Sequence, residues 1–130
     1  MWPKLFFSNR LLFSAGALLG VTGVVFGAYG SHGLAVDAAR LASWATAVQY
    51  QLIHALVLLV LGVWSLVRPG RLLLLAGGLL IAGVVLFSGS IYALVLTRLS
   101  WLGPVTPLGG LCLIAGWLVI LLHSVRGDTP

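Results

Sequence analysis

The sequence has very little charge. Only 7% of its 130 residues are Asp, Glu, Lys or Arg, whereas a soluble domain has about 25%. A helix crosses the hydrocarbon core of a membrane with about 20 apolar residues at about 1.5 Å per residue. The charged residues leave four uncharged runs that are long enough, at positions 11–36, 41–67, 72–97 and 99–125. This pattern excludes a soluble catalytic domain and predicts an all-α integral membrane protein.

Cysteine and buried acid are lacking as well. Cys112 is the only cysteine, which excludes an intrachain disulfide and a thiol pair for metal or redox chemistry. The uncharged runs contain no ionisable carboxylate or amine, although an ion-coupled transporter normally places one inside a span. A Ser–His–Asp hydrolase would lack its acid, and no cluster offers the three or four ligands that zinc needs. We therefore expect a non-enzymatic protein with no cofactor and no metal site.

The uncharged runs predict one membrane domain, 1–130, that forms a four-transmembrane-helix bundle with helices at about 11–31, 41–67, 72–97 and 106–124. The basic residues predict its orientation. Five of them lie before the first helix, in the middle loop and in the tail, namely Lys4, Arg10, Arg68, Arg71 and Arg126. The first and third loops carry only Arg40 and Arg98. Cytoplasmic segments hold the excess of Lys and Arg, so we expect both termini in the cytoplasm and a bacterial inner (plasma) membrane location.

Glycine marks one side of the first predicted helix. The spacing alternates between four and three residues and places five glycines on one face: Gly16, Gly20, Gly23, Gly27 and Gly30. Small residues let membrane helices approach closely, which is a main source of their cohesion. The stripe predicts a helix-packing seam, within the monomer or between subunits. A glycine-lined ligand path is the alternative.

Polar side chains gather in the half of the bundle near the first and third loops. Counting from Trp44, His54 lies about 15 Å deep, near the bilayer midplane. The candidate polar-cluster or ligand residues are His32, Tyr50, Gln51, His54, Ser88, Ser90, Tyr92 and Thr106. Hydrogen bonds between helices, worth about 0.6 kcal/mol each, would explain such a cluster. A ligand-binding or wet cavity would explain it too, and the residues leave both interpretations open.

Four segments resemble motifs of one protein family. Positions 27–34 read G-A-Y-G-S-H-G-L and resemble the G-A-F-G-A-H-G-L motif of the transmembrane protein 256-like family, a domain of unknown function. Tyr29 and Ser31 depart mildly from that motif. Three further segments of this chain resemble the other motifs of that family. They read W-A-T-A-V-Q-Y-Q at 44–51, L-F-S-G-S-I-Y at 86–92 and G-P-V-T-P-L-G-G at 103–110. The resemblance implies four membrane helices in an inner or plasma membrane and no established activity, cofactor or catalytic residue.

Three functional hypotheses follow. The first is a non-enzymatic binding or accessory component that holds a lipid or small apolar ligand. The second is an oligomeric transporter or lipid-handling protein with the polar cluster lining its cavity, and the third is a haem- or quinone-binding redox subunit that uses His54. The expected partners are the lipid bilayer and either further copies of the chain or a larger membrane complex. Nucleic acid is not an expected partner, because the basic residues lie at helix ends.

Overall fold

The computed structural model describes residues 2–126, with side chains from Ser8 onward, so Lys4 of the charge pattern lies outside the described side chains. These residues form four long helices and a short 3-10 turn at Ser100–Leu102. The helices are α1 (Trp2–His32), α2 (Ala38–Val67), α3 (Arg71–Thr97) and α4 (Val105–Val125). Each lies in a segment long and apolar enough to cross a membrane. The predicted four-helix membrane fold is confirmed.

Helices α1 and α2 begin before the uncharged runs of the sequence. α1 begins at Trp2 and includes Arg10, and α2 begins at Ala38, so that Arg40 lies in its first turn. A helix of 30 residues is about 45 Å long, against a hydrocarbon core of about 30 Å. The end of an apolar run indicates where the hydrocarbon core ends, but the hydrogen bonds of the helix backbone continue into the membrane interface. The ends of α2 therefore project beyond the core.

The turns at the end of the bundle that carries the first and third loops, called the outer end here, are closed by specific caps. The Asp37 carboxylate accepts a 2.9 Å hydrogen bond from the backbone N–H of Arg40 and caps α2. α3 is followed by its C-cap residue Arg98, whose backbone lies in the left-handed region with φ 58°. Its N–H donates to the Leu94 carbonyl at 2.9 Å. The chain then turns through the 3-10 segment into α4.

α2 and α3 form the centre of the bundle, with α1 packed along α2 and α4 along α3. One cluster of buried residues lies towards the opposite, inner end, formed by Leu12, Leu58, Leu61, Leu73, Ala76, Leu80, Val84 and Leu113. A second cluster lies at the outer end, formed by Trp44, Ala47, Val48, Tyr92 and Val95. The polar candidates lie between and around these two clusters.

Most of the glycine stripe of α1 faces α2. Gly16, Gly23 and Gly30 recur every seven residues, a repeat that keeps one face against a neighbouring helix. A Cβ at Gly16 would lie 2.9 Å from the Ala55 carbonyl oxygen, and one at Gly27 would lie 3.3 Å from the Val48 side chain. α1 therefore lies close against α2 over several turns.

Gly20 is the exception in this stripe. Among the described residues, no atom beyond its own part of the helix lies within 4 Å of where its Cβ would be. At about 100° per residue, Gly20 lies about 40° around the helix from Gly16, beside the seven-residue repeat. The prediction that Gly20 shares the seam therefore does not hold within the chain.

The contact between α3 and α4 also depends on glycine. A Cβ at Gly109 would lie 2.7 Å from Phe87 Cα and would also meet the Phe87 nitrogen. One at Gly116 would lie 2.7 Å from the Leu80 side chain. The obstacle at Gly109 is backbone, which cannot move aside as a side chain can. This contact sets the distance between the two helices next to the polar residues of α3.

Candidate functional site

Gln51 is the centre of a buried network that joins three helices. Its side chain is only 3% exposed. Its amide Nε2 donates to the Leu19 carbonyl at 3.0 Å and to Thr22 Oγ1 at 2.7 Å, both on α1. Its Oε1 accepts a 2.7 Å hydrogen bond from the Tyr92 hydroxyl on α3. Both amide donors and the carbonyl oxygen are used, so Gln51 binds α1, α2 and α3 together.

His54 is also buried, and both of its ring nitrogens have partners. Trp117 Nε1 donates to His54 Nε2 at 3.1 Å, and His54 Nδ1 lies 2.6 Å from the Tyr50 carbonyl oxygen. An indole N–H can only donate, so Nε2 accepts and carries no proton. Nδ1 then holds the proton and donates it to the carbonyl. His54 is therefore a neutral imidazole that bridges α2 and α4.

Tyr50 is part of an aromatic group at the surface of the bundle. Its ring lies 4.6 Å from the Phe87 ring and stacks on His54 at 6.0 Å. Tyr50 is 40% exposed and Trp117 is 45% exposed. The rings of Tyr50 and Trp117 therefore cover His54 on the side of the bundle where α2 and α4 both border α3.

The two serines of α3 each bind a different neighbour. Ser88 Oγ donates to the Ala47 carbonyl on α2 at 2.7 Å. Ser90 Oγ lies 2.5 Å from Thr106 Oγ1 on α4 and 3.0 Å from the Phe87 carbonyl. Ser88 and Ser90 thus connect α3 to the helices on its two sides, and the structure brings Thr106 into the cluster.

His32 is not part of this cluster. It ends α1 and is exposed, and its side chain makes no hydrogen bond to another candidate within the part of the chain that the structure describes. The structure therefore does not bring His32 together with the other candidates, which lie on α2, α3 and α4, and its place in a polar cluster stays a prediction.

The buried polar groups satisfy one another. Among the side chains from Ser8 to Arg126, every buried nitrogen and oxygen atom has a hydrogen-bond partner. The cluster therefore offers no unpaired buried group to a ligand. Its geometry is that of interhelical bonding, with several backbone carbonyls accepting bonds from side chains of neighbouring helices.

Several members of the network were not identified from the sequence. Thr22 is the one threonine of α1, and its position next to Gly23 in the glycine stripe is a signal for contact with α2. Trp44 is 2% exposed, and its Nε1 donates to the Phe26 carbonyl at 2.8 Å. Trp117 lies in an uninterrupted apolar run. Only the packing of the helices shows which residues they meet.

A groove of about 670 Å³ opens at the outer end between α2, α3 and α4. Its apolar wall comes from α3, and hydroxyl groups and two arginines complete it. The lining residues are Arg40, Ser43, Thr46, Ile91, Leu94, Val95, Arg98, Ser100, Gly103, Thr106 and Pro107. Sequence reasoning used the two arginines only as orientation signals. Each of the two outer loops carries one arginine in the sequence, and this was the sign that the two side chains could meet.

The two arginines of the groove differ in their contacts. Arg40 Nη2 donates to the Val95 carbonyl at 2.6 Å, and Nη1 lies 3.7 Å from an Asp37 carboxylate oxygen. Carbonyls in the last turn of a helix lack partners in the helix, so Arg40 caps α3 from outside. The exposed Arg98 side chain has no hydrogen bond or ion pair within residues 8–126. One positive charge in excess of Asp37 therefore lies at the groove.

Aromatic rings lie beneath the groove. Tyr50 is one helical turn below Thr46 on α2, and Phe87 is one turn below Ile91 on α3. Their rings are in contact, and the Trp117–His54 hydrogen bond joins α4 to α2 another turn deeper. The groove is therefore open towards the interface and the lipid and closed towards the centre of the bundle.

Comparison with known proteins gives consistent results. Residues 26–110 match a family described as "Protein of unknown function (DUF423)". A UPF0382 membrane protein of Staphylococcus haemolyticus is 41% identical over 119 residues, which cover 90% of this chain and 97% of the relative. The UPF0382 membrane protein YwdK of Bacillus subtilis is 41% identical, with 85% and 93% covered. One from Schizosaccharomyces pombe is 39% identical, with 85% and 98% covered. No solved structure matches this chain.

Proposed function

This chain belongs to the DUF423 family of proteins of unknown function, and we propose that it is a non-enzymatic membrane protein that binds an amphipathic ligand in its outer groove. The ligand class is a lipid or a similar molecule with an apolar chain and a polar head. The bilayer is its environment, and we propose the bacterial plasma membrane as its location, in keeping with the Bacillus and Staphylococcus relatives.

The single observation that carries this proposal is the composition of the groove. Ile91 and Leu94 provide an apolar wall next to hydroxyl groups and arginines. A volume of about 670 Å³ is within the range of about 300–1,000 Å³ that small-molecule sites have. Its opening at the interface suits a molecule that enters from the lipid.

The other hypotheses have less support. A transporter would need a polar path along the bundle, and the residues that would line it bond to one another instead. A haem ligand role for His54 would require its Nε2 to give up the hydrogen bond from Trp117. We therefore propose that the polar cluster holds the helices in place and that the groove is the binding site.

Self-association is a separate proposal, supported by Gln49. This residue is exposed on the side of α2 that faces lipid, about 7.5 Å below Trp44 along the helix. Its amide has no hydrogen-bond partner within the described side chains. An unpaired amide in an apolar medium costs about 4–8 kcal/mol on the water-to-cyclohexane scale. Gln49 of a second copy would supply both a donor and an acceptor.

The binding proposal is tested by filling the groove. Ser43 is exposed, lines the groove and bonds only to the Ala39 carbonyl of its own helix, so Ser43→Trp places a large ring in the groove without breaking a contact between helices. Ala42→Trp adds the same ring on the lipid-facing side and is the matched control. We expect delipidated wild type and Ala42→Trp to bind dioleoylphosphatidylglycerol in native mass spectrometry and Ser43→Trp to lose that binding. Equal binding by all three proteins would contradict the proposal.

A further inference from the structure

We propose that the groove recognises an anionic head group, a phosphodiester or a carboxylate carried on an apolar chain, and that Arg98 is the residue that selects it. This inference rests on the proposed binding function and specifies the chemistry of the ligand. It starts from the charge of the groove, which is lined by two arginines, Arg40 and Arg98, of which only Arg40 lies beside a carboxylate, that of Asp37.

The contacts of Arg40 make it a fixed part of the wall. Its guanidinium is hydrogen-bonded to the Val95 carbonyl and lies beside Asp37. Much of its charge is therefore balanced by a carboxylate and by the carbonyl end of α3, which carries partial negative charge. Arg40 contributes a positioned donor group, but it does not account for the excess positive charge.

Arg98 carries the charge that is not balanced. Arg98 lines the groove, and its guanidinium is not engaged by any described side chain. Guanidinium groups bind carboxylate and phosphate oxygens through two parallel N–H donors. At the edge of the hydrocarbon core the effective dielectric constant is lower than in water, which strengthens such an ion pair.

The hydroxyl groups of the groove indicate which donors remain for a ligand. Ser43 and Thr46 donate to carbonyls of their own helix, and Thr106 is paired with Ser90. Ser100 lines the groove two residues after Arg98, and its hydroxyl is not engaged within residues 8–126. Of these hydroxyl groups, that of Ser100 is therefore the one free to meet a head group, next to Arg98 at the outer rim.

The apolar wall accounts for the chain of the ligand. Ile91 and Leu94 lie on the same side of α3 as Val95, below the rim, and they offer no polar group to a head group. An anion without a chain would leave this surface uncovered. The arrangement, with charge at the rim and apolar residues beneath it, fits an amphiphile whose head points to the interface.

Arg98 caps α3 through its backbone, and this role does not depend on its side chain. With φ 58°, position 98 has the left-handed conformation that glycine adopts most readily and that helix ends commonly use. Arginine brings no advantage to this conformation. Arg98→Gly therefore keeps or improves the turn while it removes the guanidinium, and it distinguishes ligand recognition from structural need.

The test compares three probes by native mass spectrometry of the delipidated protein. Dioleoylphosphatidylglycerol carries the anion and the chains, dioleoylglycerol carries the chains alone, and glycerol phosphate carries the anion alone. The proteins are wild type, Arg98→Gln, Arg98→Gly and Arg98→Lys, with Arg126→Gln as the control at the other end of the bundle. Thermal unfolding of each variant establishes that it is folded.

We expect wild type and Arg126→Gln to prefer the phosphatidylglycerol, and Arg98→Gln and Arg98→Gly to bind it about fivefold more weakly, the factor that about 1 kcal/mol represents. Arg98→Lys should regain part of the affinity. Binding of dioleoylglycerol should not change.

Each other result overturns a defined part of the inference. If both lipids bind equally well, the Arg98 variants do not weaken this binding and Ser43→Trp abolishes it, the preference for an anionic head group is refuted. The proposed binding function would still stand. Binding of glycerol phosphate as tight as that of the lipid would refute the need for a chain. Binding that neither position 98 nor Ser43→Trp alters would refute both the inference and the proposed function.

Discussion

The indole Nε1 of Trp117 donates a 3.1 Å hydrogen bond to Nε2 of His54 and thereby joins α4 to α2 across the face of α3. The bond determines which nitrogen of His54 carries the proton and fixes the orientation of the imidazole, because Nδ1 is held by the Tyr50 carbonyl. It also lies directly below the aromatic rings that close the outer groove. A residue that looked like a ligand in the sequence is thus a bridge between helices.

Removing this bond should lower stability without affecting ligand binding. Trp117→Phe keeps an aromatic ring and deletes the donor, and it leaves Nε2 of His54 unpaired. We expect the free energy of unfolding in mild detergent to fall by roughly 1 kcal/mol, since such bonds average about 0.6 kcal/mol and an unpaired buried group adds to the loss. His54→Ala should cost more. Unchanged stability with lost phosphatidylglycerol binding would show that His54 serves the ligand instead.

Gln51 and Gln49 form a natural pair for comparison, since they are the same residue type on opposite sides of α2. Gln51→Leu removes three hydrogen bonds and leaves the Tyr92 hydroxyl unpaired, so we expect a loss of roughly 2 kcal/mol at about 0.6 kcal/mol per bond. Gln49→Leu removes no hydrogen bond within the described chain and should not lower the stability of the monomer. Denaturation in detergent measures both values, and equal losses would contradict the network.

The same Gln49→Leu variant tests self-association. If Gln49 pairs with its counterpart in a second copy, the variant should shift the protein from dimer to monomer in native mass spectrometry or analytical ultracentrifugation. Gln51→Leu, once folded, should retain the dimer. A wild-type protein that is monomeric at all accessible concentrations would refute the pairing.

Alanine at Gly109 should be far more harmful than alanine at Gly20. A methyl group at Gly109 meets the backbone of Phe87, and overpacking of this kind costs about 1–3 kcal/mol. Gly20 has open space around it within the described structure, and alanine is the better helix former by up to about 1 kcal/mol. Thermal unfolding should therefore show a lower midpoint for Gly109→Ala and an equal or higher one for Gly20→Ala. A large loss at Gly20 would indicate a contact with another chain.

The predicted orientation can be tested by cysteine labelling in the Cys112→Ala background. Ser100→Cys should react with a membrane-impermeant maleimide on intact bacterial cells, because the third loop is predicted to lie outside. Pro69→Cys, in the α2–α3 turn, should react only after the membrane is opened. The reverse pattern would place the groove on the cytoplasmic side and would refute the expected topology.

Some features of this protein depend on the residues of one helix, and others depend on how two helices pack together. The contact of most of the α1 glycine stripe with α2 follows from short-range spacing, which a single helix expresses. His32 and Gly20 do not contact their predicted groups within the described chain, for a different reason. Their positions depend on how far α1 projects and on how it is rotated against α2, and no local pattern reports either quantity.

The groove is the clearest example of such information. Arg40 and Arg98 are separated by most of two helices in the chain, and each is explained locally as a charge at a helix end. Their approach depends on the α2–α3 contact and on the left-handed turn at Arg98 that leads into the 3-10 segment. The sequence predicted polar groups at this end of the bundle but not the partner of each.

Length and hydrophobicity alone establish that this chain has four membrane helices, because the free energy of transfer into lipid adds up residue by residue along each segment. The pairing of Gln51 with Tyr92, the burial of His54 behind Trp117 and the groove with its two arginines are decided by the packing of the helices. Hydrogen bonds and close contacts depend on the rotation and separation of two helices together, and neither helix contains that information by itself.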